Sequence, residues 1–241
     1  VMVHGMSQDR RVFSTQVEAF RERFRIMLID LPGHGLSADI PGPFGHHEFT
    51  ESVIGAILEA GVQDCHFWGT HTGATVGLLL ATRAPERLAS LILEGPVMPG
   101  ETPDSVASAI GAARAVAQND GVEAAKDWWF TKAPWFEVMR ARPVECKAPE
   151  HRQIIGGFDG APWLSNDTPE PVEPIELALK ALKIPVLVYN GIHDQADFLD
   201  TSRRVANLIP RCRIETIPDG GAFTAWEFPE RVNRLVAEFL G

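Results

Sequence analysis

The chain has 241 residues, 45% of them apolar, and 32 acidic against 22 basic side chains for a formal charge of −10. That supports one sizeable globular core, and the acidic excess excludes nucleic acid and anionic membrane as expected partners, because phosphate attracts Lys and Arg. Small neutral or cationic ligands stay open. Cys65, Cys146 and Cys212 are widely spaced with no C-x-x-C pair, which fits free thiols in a reducing compartment better than a disulfide frame or a zinc site. No apolar run approaches the roughly 18 to 20 residues of a membrane span. The first residues carry no signal-peptide pattern, so the cytoplasm is the expected location. "VMVHG" already reads as the end of a buried strand, and residues before Val1 are expected in the full protein.

Short β-rich apolar runs alternate with longer helical patterns along the chain. Arg25 to Ile29, Cys65 to Trp68, Leu88 to Leu93, Ile184 to Tyr189 and Arg213 to Ile217 are predicted strands. Val12 to Phe24, Glu48 to Ala60, Ala74 to Arg83, Thr201 to Leu208 and Pro229 to Leu240 are predicted helices. Such alternation implies an α/β fold with a mainly parallel sheet covered on both faces and its site at the carboxyl ends of the strands. The rhythm breaks between about Pro96 and Leu182, where helical pattern and prolines continue without a confident strand. This stretch holds Trp128, Trp129, Trp135 and Trp163, either as packing between small helices or as an aromatic lid over an apolar pocket.

Two turns carry the chemistry. A buried strand running into His4-Gly5-Met6 can turn at Gly5 and leave the Met6 amide pointing at the strand end, half of an oxyanion hole. In "GTHTG", Gly69 to Gly73, a strand passes sharply into a helix; the glycines expose the central His71 and aim the Thr72 amide at the same point. "LIDLPGHGLS" places Asp30 at another strand end, followed by a tight turn in which His34 reads as structural. His193 reads as a loop residue. His46 and His47 are adjacent in a Gly/Pro-rich loop and lack the spacing of a metal face, so no metal is expected. Trp226 and Glu227 read as packing and a helix start.

"VHGM", "DLPGHGLS", "GTHTGATVG", "RAPERLASLILEG", "IPVLVYNGIHD" and "IPDGGAFTAWEFPERVNRLVAEFLG" stand in one order across nearly the whole chain. In this the sequence resembles the α/β-hydrolase superfamily, in particular its cofactor-independent hydrolases, lyases and dehalogenases. The resemblance implies an eight-stranded sheet whose first strands would precede this chain, a core of residues 1–96 and 183–241, and a helical cap of residues 97–182. It also implies no cofactor. Carried across residue by residue, the nucleophile position is His71, the acid positions are Asp194 and, alternatively, Glu94, and the position of the catalytic histidine is Ala222.

Serine acyl-enzyme chemistry is thereby excluded, since neither Ser nor its base is present. The site is expected between cap and sheet around His71, Asp194 and Glu94, with the Met6 and Thr72 amides as oxyanion donors and the four tryptophans toward a substrate pocket. His71 would be a general base acting on a small, largely apolar carbonyl compound: a reactive ester, a lactone, or a C–C bond next to a carbonyl. A base and one oxyanion donor supply roughly 10² to 10⁴ and 10² to 10³ in rate, enough for activated substrates only. The competing reading is a catalytically silent small-molecule-binding or regulatory protein that keeps the elbow for packing. Composition and motif do not choose between a neutral and a charged His71.

Overall fold

A computed structural model describes residues 1–241. Its centre is one six-stranded sheet: β1 Met2–Val3, β2 Leu28–Ile29, β3 Cys65–Thr70, β4 Leu88–Glu94, β5 Val186–Gly191 and β6 Cys212–Ile217. The order is β2-β1-β3-β4-β5-β6 and every pairing is parallel. The helices are α1 Ser14–Phe20, α2 His46–Glu59, α3 Thr72–Arg83, α4 Asp104–Asp120, α5 Val122–Lys132, α6 Glu137–Ala141, α7 Ala148–Gly156, α8 Ala161–Leu164, α9 Glu176–Ala181, α10 Ala196–Leu208, α11 Thr224–Glu227 and α12 Pro229–Leu240.

The period-2 geometry of a strand divides the sheet residues between two cores. Leu91 and Leu93 of β4, with Val186 and Val188 of β5, pack with α2, α3 and α10. Ile92, Leu187 and Tyr189, one residue out of step, pack with Phe13 and Phe20 and with Val232, Leu235 and Val236 of α12. Residues 74 to 81 of α3 are all buried, because this helix lies between the sheet and α2 and has no solvent face. Its small residues make that close approach possible.

The predicted strands and helices recur with shifted ends. Arg25 to Met27 precede a β2 of only two residues, and the first predicted helix is a 3₁₀ turn, Arg10–Phe13, running into α1. Between β4 and β5 the chain contains only helices and loops; most buried side chains of α4 to α8 form a third apolar cluster with Ala222 and Phe223, whereas Leu179 of α9 packs into the first core. No helix is long and apolar enough to cross a membrane. The three cysteines carry free thiols.

Strand order positions the site. From β1 the chain crosses first to β2 on one side and then to β3 on the other, so direction reverses between β1 and β3. A crevice opens at such a switch point, outside the carboxyl ends of the strands. The His4-Gly5-Met6 turn leaves β1 there and Gly69 to Gly73 ends β3 there, with Val3 registered against Gly69.

Candidate active site

The elbow is held from both sides. His71 stands at φ 48°, ψ −108°, a conformation that costs a non-glycine residue roughly 1 to 3 kcal/mol. Its amide donates to the Glu94 carbonyl at 2.8 Å and its carbonyl accepts from the Thr75 amide at 2.9 Å. The flanking glycines answer to close approach: a Cβ on Gly69 would meet the Gly73 carbonyl oxygen at 2.2 Å, and one on Gly73 would meet the Val3 carbonyl oxygen at 2.1 Å.

Two structural histidines shape the facing turn. His4 accepts from the Leu31 amide at Nε2 (3.0 Å) and so donates from Nδ1 to the Gly5 carbonyl (2.7 Å). His34 accepts from the Ser7 amide at Nε2 (3.2 Å) and donates from Nδ1 to the Pro32 carbonyl (2.9 Å). Asp30 accepts from the Arg10 and Leu36 amides and from the Arg10 guanidinium, closing the loop around them. The Gly5 amide is taken by Gln8 Oε1. Met6, between two satisfied amides, donates to nothing in the chain, and neither does Thr72 at the first position of α3. Met6, Thr72 and His71 all line one cavity of about 430 Å³.

His71 is neutral. Burial pushes its imidazole down to about 4, against smaller opposing effects from the backbone at Ala222 and Gly95. Nε2 donates to the Ala222 carbonyl at 2.8 Å, which leaves the lone pair on Nδ1. The ring meets Phe198 and Phe223 edge to face, at centroid distances of 5.0 and 4.9 Å. Neither expected acid hydrogen-bonds to it. Asp194 accepts from Asn190 Nδ2 (2.7 Å) and the Gln195 amide (2.8 Å), whereas Glu94 Oε1 accepts from Thr224 Oγ1 (2.6 Å) and the Ala225 amide (2.7 Å). The hydrogen bond that orients the ring is thus supplied by the backbone carbonyl of Ala222, the position where the resemblance puts the catalytic histidine.

Burial also holds the two acids well above the ordinary carboxyl range, Glu94 at about 8 and Asp194 at about 7. Glu227, read from sequence as packing, joins them: burial lifts it to about 7, with Oε2 accepting from the Gly221 amide and Oε1 unpartnered.

The tryptophans divide. Trp129 and Trp135 line the cavity, with ring centroids 4.9 Å apart. Trp128 does not, because consecutive residues of α5 point about 100° apart and Trp129 takes the inward direction. Trp163 stands behind the wall, buried against Trp129 and Phe158. Sequence reading missed Phe198, Phe223, Phe44 and Thr75; Thr75 and Phe223 lie inside the elbow and last-turn motifs without a role of their own there, and all four line the same cavity.

Residues 1–235 match the alpha/beta hydrolase family. A protein of Caulobacter sp. (strain K31) provisionally named carbamate hydrolase RutD is 27% identical over 246 residues, covering 100% of this chain and 89% of that one. The 2-hydroxy-6-oxononadienedioate/2-hydroxy-6-oxononatrienedioate hydrolase of Burkholderia vietnamiensis (strain G4 / LMG 22486) is 24% identical over 250 residues, covering 100% and 86%. Among solved structures, the enol-lactonase from Burkholderia xenovorans LB400 shares the fold with a TM-score of 0.83 at 23% identity, covering 99% of this chain and 90% of that one. With the match running from Val1 into the last helix, and with the elbow and the paired amides in place, the chain belongs to the alpha/beta hydrolase family.

Proposed function

We propose that the protein is a hydrolase or lyase of a small, largely apolar carbonyl compound and works without a serine nucleophile. One observation carries the reading: a neutral imidazole at the elbow lines an apolar cavity together with two backbone amides that have no partner in the chain. A carbonyl oxygen seated on the Met6 and Thr72 amides would gain stabilisation as it becomes an oxyanion or enolate. His71 would take a proton at Nδ1, from a carbon next to that carbonyl or from an attacking water. The names of the relatives agree with a carbonyl substrate, since a carbamate, an enol-lactone and an oxo-dioate each contain one.

A base titrating near 4 is ready at neutral pH and intrinsically weak, because proton transfer is most efficient when the base lies near the working pH. The reading therefore selects acidic C–H bonds and activated esters or lactones. His71→Ala, assayed against esters, lactones and β-diketones, is expected to lose roughly 10² in rate on the best substrate while retaining its affinity. Unchanged turnover would remove His71 as the base. A second reading, binding without chemistry, is supported by the Nε2 bond to Ala222 and by the lack of a carboxylate on the ring. Saturable binding with no turnover across the panel would favour it.

A further inference from the structure

We infer that the cavity selects uncharged ligands and rejects carboxylates, with Glu101 and Glu170 at its wall setting that choice. The inference rests on the proposed carbonyl-binding site and concerns what that site admits. Of the residues lining the cavity, Glu101 and Glu170 are the only ones with a formal charge, and no Lys or Arg is among them. Glu101 accepts an ion pair from Arg204 at 2.6 Å, but Arg204 is itself shared with Glu176. Glu170 is 72% exposed and its one basic neighbour is His47, 3.8 Å away.

The histidines on the wall supply no compensating charge. Burial pushes both His46 and His71 down to about 4, so neither is cationic at neutral pH. Beneath the floor stand Glu94 and Asp194, partnered only by neutral donors, so an anion seated there would find a second negative charge each time one of them ionised. The positive potential available is that of the α3 N-terminus and the two free amides. This suits the partial charge of a carbonyl oxygen and offers no ion pair to repay the desolvation of a full carboxylate. The rest of the wall is uncharged, with Phe44, Phe49, Val97, Trp129, Trp135 and Phe198 forming its apolar part.

Trp129 and Trp135 make the test independent of turnover. Their fluorescence is titrated at pH 7.5 with methyl 4-phenylbutanoate and, separately, with 4-phenylbutanoate, which differ in charge at nearly the same size. The ester is expected to bind at least about tenfold more tightly, the scale of one unit charge acting across about 10 Å at an effective dielectric constant of about 20. Glu170→Lys, a change at an exposed residue, is expected to narrow the ratio by about threefold through the anion's affinity, and 0.5 M NaCl to erase that gain. Equal binding of ester and anion by the unaltered protein would overturn the inference and leave the carbonyl site standing. An unchanged ratio in Glu170→Lys would overturn the role given to Glu170. Binding of neither probe at millimolar concentration would count against the site itself and remove the ground of the inference.

Discussion

The His71 imidazole donates from Nε2 to the carbonyl oxygen of Ala222 at 2.8 Å, so the histidine at the elbow is tied to a backbone group 151 residues further along the chain. The ring at position 71 thereby reaches across to the turn after β6, and Phe198 and Phe223 close on its flanks.

That reach depends on Gly95. Its φ is 53°, and a Cβ there would lie 2.8 Å from Cε1 and 3.0 Å from Nδ1 of His71. Gly95→Ala is expected to lower stability by about 1 to 3 kcal/mol, from positive φ and from overpacking. The overpacking share should vanish when the ring is removed, so in urea unfolding the Gly95→Ala penalty should be smaller in a His71→Ala background. Strict additivity of the two changes would show that Gly95 does not make room for the histidine.

Placing a serine at position 71 and a histidine at position 222 tests whether the scaffold supports a serine–histidine pair. In His71→Ser with Ala222→His, the elbow gains a hydroxyl, the space between Phe198 and Phe223 is vacated, and Asp194 lies beyond Gly95 on the same side. Hydrolysis of p-nitrophenyl acetate is expected to exceed that of either single variant by roughly 10² or more, since the nucleophile and its base act as a unit. A double variant no faster than His71→Ser would mean that the carboxyls no longer sit where a base can use them.

Much of the fold was legible because apolar alternation and the elbow glycines are local signals. Leu91 and Leu93 against Ile92 in β4 state the two faces of the sheet directly, and the close approaches at Gly69 and Gly73 leave those positions no side chain to vary. The histidine's partner was not legible, because the Ala222 carbonyl is a backbone group and any residue supplies one. Nor could adjacent Trp128 and Trp129 be told apart before the axis of α5 was known. Glu227 gave no sign of joining the buried acids, since a glutamate at a helix start is ordinary in sequence and unusual only once it is found buried.

Thr75 couples the elbow to the cavity wall. Its hydroxyl donates to the Val97 carbonyl at 3.0 Å and accepts from the Val97 amide at 3.2 Å, one turn below His71. Thr75→Val keeps the shape and leaves both backbone groups of a buried residue without that partner. The expected loss is about 1 to 3 kcal/mol, read as a lower urea midpoint with an unchanged m-value. A shift of the midpoint within error would mean that the wall does not depend on this bridge.

The buried ionisable groups set opposite slopes of stability with pH, and the sign follows from each group's folded and unfolded values. Glu94, Asp194 and Glu227 are raised by burial to about 8, 7 and 7, so the folded chain retains protons that the unfolded chain releases. Their contribution is full below the ordinary carboxyl range and is lost as pH rises toward 8. His34, His46, His71 and His151 are lowered by burial to about 3, 4, 4 and 3; their contribution is full above the ordinary imidazole value and is lost as pH falls below it. Between about pH 4.5 and 6.5 the two sets oppose one another, and above that window only the acids act. The melting temperature is therefore expected to be highest near pH 6 and to fall on the alkaline side through pH 8. Glu94→Gln tests the cause, because its amide oxygen can still accept from Thr224 and Ala225 and carries no charge. Differential scanning calorimetry from pH 5 to 9 should find a shallower alkaline decline in that variant; the same decline in both proteins would mean that Glu94 is not ionising against its surroundings.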